Sequence, residues 1–291
     1  MDSLPPWPEV RAMLLSVLLP GGAVGAGVLA AVCAASRSET RRLIGGALAL
    51  AGGIAAGNFL RGLLPWWSLE TGWPSLFPAM LAAISGGVAA AFAASRRGGR
   101  WGRALRFITS AGCSFWLTPA GAPLAHLGFF ALLFTASTLN WEALRRSGVQ
   151  SLGPWALLAL ILPWGAAAAT VLIHAHSARF CDLALLLTAT LAGVGLVAAR
   201  CKLDVAALFA GPAVFLPALL LGGLANTFSE VPAASFILIA LAPGALWSLR
   251  LPPLRRCSGR ARAVAAVLAV LVPCAVSVAL AVRAESLDFG G

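Results

Sequence analysis

The chain has 291 residues, is 60% hydrophobic and only 11% charged, and has a mean hydropathy of +0.90; a soluble domain would carry roughly 25% charged residues. That composition excludes a soluble globular fold, which has to wet its own exterior. The net charge of +11 would suggest nucleic acid for a soluble protein, but in a membrane protein basic residues collect in cytoplasmic loops, so the expected partner is the lipid bilayer and no nucleic acid.

The N-terminal stretch "MDSLPPWPEVR" has acids and prolines where a signal peptide needs a basic region. The apolar run that follows, Ala12 to Ala35, is too long for a cleaved leader and reads as a retained span. A membrane helix needs about 20 mostly apolar residues. Runs of that kind predict ten spans, at 12–35, 43–63, 75–95, 103–118, 122–140, 154–174, 181–199, 205–226, 232–249 and 263–282. The connections are short, so residues 1–291 form a single integral membrane domain, an all-α polytopic helix bundle. The stretch 103–140 is long for one span and short for two. It divides at "TPAGAP", Thr118 to Pro123, which has strong turn chemistry; a re-entrant segment at 103–118 would preserve the parity of the later loops. Gly21/Gly25 and Gly53/Gly57 have the small-residue spacing that suits close helix packing.

Charge placement predicts the orientation. With the N-terminus outside, stretches 37–42, 96–106, 145–146, 200–202 and 250–262 face the cytoplasm and hold every basic residue except Arg11, Arg61, Arg179 and Arg283, as the positive-inside rule requires. Asp2, Glu9, Glu70, Asp182, Glu230, Glu285 and Asp288 then fall outside, and so do both termini. The localisation read from this pattern is the cell (inner) membrane. The tryptophans sort with the same boundaries: Trp66, Trp67, Trp73 and Trp116 near the outer one, Trp101, Trp141, Trp155 and Trp247 near the inner one, and Trp164 in mid-span, in keeping with interfacial belts.

Candidate chemistry is sparse. Helix-breaking residues recur within spans, and broken helices line substrate sites in transporters because their freed carbonyls and ends coordinate ligand. The segment 205–226, with Pro212, Pro217 and Gly222-Gly223, is predicted to be discontinuous, and Pro243-Gly244 marks a second break. No Asp, Glu, Lys or Arg is expected at the midplane, which argues against a proton-driven carrier. Candidate binding residues are Asn58, Arg61, His126, Asn226, Glu230, Pro212 and Pro217, with Glu70 in the outer hairpin "LPWWSLETGWPSLFPA", where it can pair with Arg61. "HAHSARFCD" places His174, His176 and Asp182 close together as candidate metal ligands. Residues two apart on a helix point to nearly opposite sides, so His174 and His176 could share an ion only if the helix ends between them. The six cysteines include no C-x-x-C pair. The arginine clusters "SRRGGRWGRALR" and "RLPPLRRCSGRAR" read as topology signals, with the capacity to attract anionic headgroups.

No zinc-protease, nucleophile-elbow, phosphate-loop or dinucleotide motif is present, so neither an enzyme activity nor a cofactor is expected. In length and span count the chain resembles small drug/metabolite-type permeases; it carries no motif of theirs, and its predicted outside termini differ from theirs. The leading expectation is a small permease or membrane-embedded binding protein for an apolar or weakly polar solute. The alternatives are a non-catalytic accessory subunit with membrane-protein partners, and an intramembrane enzyme or metal protein with a site on the outer face.

Overall fold

A computed structural model describes residue 15 and residues 19–36, 38–62, 73–146, 155–203, 205–227, 229–255 and 258–288. Among the described residues there are helices and turns and no strand. In chain order the helices are α1 (Leu19–Ala35), α2 (Glu39–Arg61), α3 (Leu76–Arg97, preceded by a 3₁₀ turn at Trp73–Ser75), α4 (Gly99–Leu117), α5 (Pro123–Arg146) and α6 (Leu162–His174, preceded by a π turn at Leu157–Ile161). There follow α7 (Ala178–Cys201), α8 (Ala210–Asn226, preceded by a 3₁₀ turn at Ala206–Phe209), α9 (Ala233–Ala240) with a 3₁₀ segment Ala242–Arg250, the short α10 (Pro252–Arg255), and α11 (Gly259–Asp288).

Within the described residues each predicted segment overlaps a helical element, and the "TPAGAP" turn separates α4 from α5 as expected. By length and composition, however, six helices qualify to cross a membrane, or seven when α9 and its 3₁₀ continuation are taken as one bent span. The difference from ten has three sources. α1 and Leu158–His174 are apolar but short. α4 carries Arg100, Arg103 and Arg106 in its first half. The α9 span is broken by a 50° bend.

The centre of the bundle is α8. It touches α3, α4, α5, α6, α7 and α9, every residue from Ala210 to Gly223 is buried, and 94% of its apolar stretch is hidden from the surface. A helix that is apolar all round can face lipid or protein; α8 faces protein, whereas the equally apolar α11 is only 22% buried. The predicted discontinuity at 205–226 is not present, because α8 runs unbroken through Pro217. Pro212 lies in the first turn, where the missing N–H would have had no helical partner. The carbonyl freed by Pro217 is enclosed by neighbouring helices, as membrane helices permit.

Small residues let α1, α2 and α7 approach closely, as the Gly21/Gly25 and Gly53/Gly57 spacing predicts. A Cβ added at Gly53 would lie 2.6 Å from the Gly21 carbonyl oxygen, and one at Gly193 would run into the Gly22 backbone. Backbone cannot yield as a flexible side chain does. Gly193→Ala is therefore expected to cost about 1–3 kcal/mol of overpacking in a detergent-unfolding titration, whereas Gly27→Ala, with nothing within 4 Å of its Cβ, is expected to leave stability unchanged or slightly raised.

The two ends of the bundle differ in character. At one, Trp73 packs edge-on against Phe129 (5.7 Å) and Phe180 (5.5 Å) and lies over Gly222, so this tryptophan, expected at the lipid boundary, is a half-buried wedge between helices. At the same end the Thr227 hydroxyl donates to the Ala175 carbonyl at 2.9 Å. The other end gathers arginine-bearing turns: Glu39, Arg42, Ser95 and Leu203 line one cavity there of about 290 Å³.

Candidate functional site

Broken helices are the first place to look for exposed backbone, and the break at Pro243 is real. Proline has no N–H, so the Ile239 carbonyl loses its i+4 donor, and the α-helix gives way at Ala242 to a 3₁₀ segment. The chain turns by 50° between Ala240 and Ala242. The freed groups do not face a cavity, because two buried side chains have closed on them. Trp164 Nε1 donates to the Ile239 carbonyl at 2.7 Å. Asn140 Nδ2 donates to the Ala240 carbonyl at 2.6 Å, and Asn140 Oδ1 accepts from the Gly244 N–H at 3.1 Å. Trp164, the one mid-span tryptophan, is thus placed to supply the donor that Pro243 lacks. The bend is sealed by the protein itself.

Unsatisfied polarity lies elsewhere, between α4 and α5. Arg106 on α4 is 5% exposed, and its Nε donates to Glu142 Oε1 on α5 at 2.6 Å. Arg145 Nε lies 4.0 Å from the second carboxylate oxygen, one turn along α5. Beside this pair is a cavity of about 320 Å³ lined by Arg103, Ala104, Arg106, Phe107, Ser110, Thr138, Trp141 and Glu142, at the small end of the range for ligand sites. Most of its wall is carbon. Three of its lining residues carry a buried polar atom without a hydrogen-bond partner among the described residues: Arg106 Nη2, Ser110 Oγ and Thr138 Oγ1. Hydroxyls on other helices mostly behave differently: Thr170, Thr188, Thr190 and Ser277 each bond back to the carbonyl four residues earlier, the usual way to satisfy a hydroxyl in lipid, while the buried Ser235 on α9 has no partner among the described residues. Ser114 and Ser137, on α4 and α5, also lack partners, which extends the contrast along the same helix pair.

Arg106 was expected in a cytoplasmic loop as a topology signal, and Glu142 had been assigned no role. The structure instead buries the arginine within α4 and pairs it. A sequence signal was available: Arg103, Arg106, Ser110 and Ser114 recur at helical spacing on α4, and Thr138, Glu142 and Arg145 do so on α5.

The predicted site residues that are described are scattered relative to this cavity, and none of them is among its lining residues. Glu70 lies outside the described residues, as does the side chain of Arg61. Asn58 is buried in α2, and its carbonyl accepts the Gly62 N–H at 2.8 Å. Asn226 donates to the Gly222 carbonyl at 2.8 Å, and Glu230 is exposed. Pro212 and Pro217 are enclosed in α8. His126 presents Nδ1 3.1 Å from the Pro119 carbonyl. His174 closes α6, and His176 follows in a left-handed conformation with φ 54°, so the helix does end between them. Among the described residues, no group of three His, Cys, Asp or Glu side chains could hold a metal ion.

Compared with known proteins, the chain matches no family model, no curated protein and no solved structure. Its function has to be argued from the α4–α5 cavity and the closed bend.

Proposed function

We propose that the chain is a ten-span protein of the cell membrane, with both termini outside the cytoplasm, that binds a weakly polar, amphiphilic solute between α4 and α5 at its cytoplasmic end. The observation that carries the reading is the α4–α5 cavity, whose largely apolar lining includes three residues with a buried polar atom that has no partner among the described residues. Such groups are costly in a membrane unless something completes them. Ten crossings are supported by how the helix ends assort: the starts of α3, α5 and α7 meet the end of α8 around Trp73, while the α1–α2 turn, the end of α3 and the α7–α8 turn meet at the arginine-bearing end. Helices that alternate in direction produce that pattern. α4 then crosses because Glu142 balances one of its arginines.

Filling the cavity tests the binding reading. Ala104 lies on its rim and is exposed, so Ala104→Trp narrows the site with little effect on folding. In native mass spectrometry from phosphatidylcholine nanodiscs, wild type is expected to retain a twelve-carbon amphiphile at least tenfold better than Ala104→Trp. Equal retention by the two proteins would count against the reading. Reporter fusions test orientation: a reporter at residue 291 is expected on the non-cytoplasmic side, and a cytoplasmic signal would reverse the topology.

A second reading, an accessory subunit of a membrane complex, draws support from the fully enclosed α8 and the sealed bend, which resemble a packed scaffold more than a conduit. It requires a stoichiometric partner on mild-detergent purification; a chain that purifies alone and retains amphiphile favours the binding reading.

A further inference from the structure

We infer that the solute bound between α4 and α5 carries a compact oxyanion head, a carboxylate or phosphate, and an apolar chain that lies outside the cavity along a row of phenylalanines. The inference rests on the binding reading above and specifies its ligand.

The head is argued from charge and donors. Among the residues that line the cavity, Arg103 and Arg106 stand against the one carboxylate of Glu142, so the lining carries excess positive charge. Glu142 engages Arg106 through Nε and leaves Nη2 without a partner among the described residues. Ser110 Oγ and Thr138 Oγ1, on residues that line the same cavity, are two more donors without one. An oxyanion can accept from all three, and charge-assisted bonds to guanidinium are the strong kind. A neutral hydroxyl would leave the excess charge unbalanced in a low-dielectric setting.

The chain is argued from volume and surface. A space of about 320 Å³ holds roughly ten water-sized volumes, enough for a head and little more. Phe107 lines the cavity and is 55% exposed, so the site opens on the outer face of the bundle. From there the rings continue without interruption: Phe107 meets Phe134 edge-on at 4.9 Å, Phe134 stacks on Phe130 at 5.8 Å, and Phe130 meets Phe115 at 6.5 Å. Phe115 is itself 61% exposed. Eight residues separate Phe107 from Phe115 on α4, about 12 Å of helix, which provides an apolar track for an alkyl chain at the level of the lipid tails.

The test uses the full chain in phosphatidylcholine nanodiscs, with native mass spectrometry to count retained ligand. The probes are dodecyl phosphate, dodecanol, inorganic phosphate, dioleoyl phosphatidic acid and dioleoylglycerol. Dodecyl phosphate is expected to be retained at one per protein, at least tenfold better than dodecanol and at least tenfold better than inorganic phosphate. The preference over dodecanol is expected to fall below threefold in Arg103→Gln, an exposed position in the first turns of α4 that tolerates substitution, and in the double variant Arg106→Gln/Glu142→Gln, which removes both charges of the pair together. Dioleoyl phosphatidic acid retained with the same preference over dioleoylglycerol would assign the head to a bilayer lipid; dodecyl phosphate retained alone would assign it to a free single-chain amphiphile; either supports the inference. Equal retention of dodecanol and dodecyl phosphate would overturn the oxyanion assignment and leave the binding reading standing. Retention of no amphiphile would overturn both. A phosphate preference unchanged in both arginine variants would also overturn the inference.

Discussion

Replacing Glu142 by alanine is expected to lower the unfolding free energy by about 3–5 kcal/mol, the usual cost of stranding one member of a buried ion pair. The side chains of Arg106 and Glu142 are 6% and 15% exposed, and their contact is short, at 2.6 Å, so the pair is largely shielded from bulk water. The Arg106 guanidinium cannot neutralise itself either, because arginine stays protonated in proteins. Removing both charges is a different matter: Arg106→Met with Glu142→Leu is expected to recover most of the loss, since a well-packed apolar pair of similar volume is often as stable as the ion pair. A double-mutant cycle, read by unfolding in mixed micelles, would give the coupling. A Glu142→Ala protein within 0.5 kcal/mol of wild type would show that the pair is solvated and would remove the physical basis of the cavity's charge.

The second large effect is expected at the sealed bend. Trp164→Phe keeps most of the ring but removes the donor to the Ile239 carbonyl, and Asn140→Leu removes the donor to the Ala240 carbonyl and one acceptor of the Gly244 N–H. Interhelical hydrogen bonds in membranes average well under 1 kcal/mol, because a released group commonly finds another partner. Here part of the loss is covered: the Ile239 carbonyl also accepts a backbone N–H at the end of α9, and the i+4 donor of the Ala240 carbonyl is Gly244 rather than Pro243. Each substitution is therefore expected to cost about 0.5–1.5 kcal/mol, the net worth of one hydrogen bond, and the pair together about twice that. Pro243→Ala provides the decisive control. It restores an N–H in position to reach Ile239, so Trp164→Phe should cost less in that background than in wild type. An equal cost in both would show that the indole contributes by packing alone.

What could be read from the sequence was whatever depends on neighbours along the chain. Apolar runs and the "TPAGAP" turn located the helices, and Pro243-Gly244 located the bend, because these signals are local. Pro212 misled for a reason equally local: its effect depends on whether it falls in the first turn of a helix or its interior, and the 3₁₀ turn at Ala206–Phe209 shifts the start of α8 just far enough to make it harmless. The ends of α11 extend past 263–282 because Arg260, Arg262 and Glu285 are good helix formers that an apolar reading leaves out. Pairings between helices were out of reach. That Trp164 faces Ile239, 75 residues away, or that Arg106 meets Glu142, depends on the rotation and depth of packed helices. Charge counting assigned Arg106 to a loop because it weighs residues by sign and not by the face they occupy. The unpartnered hydroxyls of α4 and α5 were invisible for the same reason, since serine and threonine in a span usually bond back along their own helix.

The Arg106–Glu142 pair also bears on how the protein is made. With Arg100, Arg103 and Arg106 in its first half, α4 is a poor candidate to enter the bilayer alone, since each arginine at depth opposes partitioning by a few kcal/mol. Its counter-charge is synthesised 36 residues later, on the helix beyond the next turn. In the ten-span arrangement proposed above, α4 would have to wait at the interface, or in the shelter of the insertion machinery, until α5 emerges and the two can enter as a hairpin with one charge already cancelled. The order of biosynthesis would then make Glu142 a licence for the insertion of a helix that precedes it, and a nascent chain cut short before residue 142 would leave α4 on the wrong side of that decision.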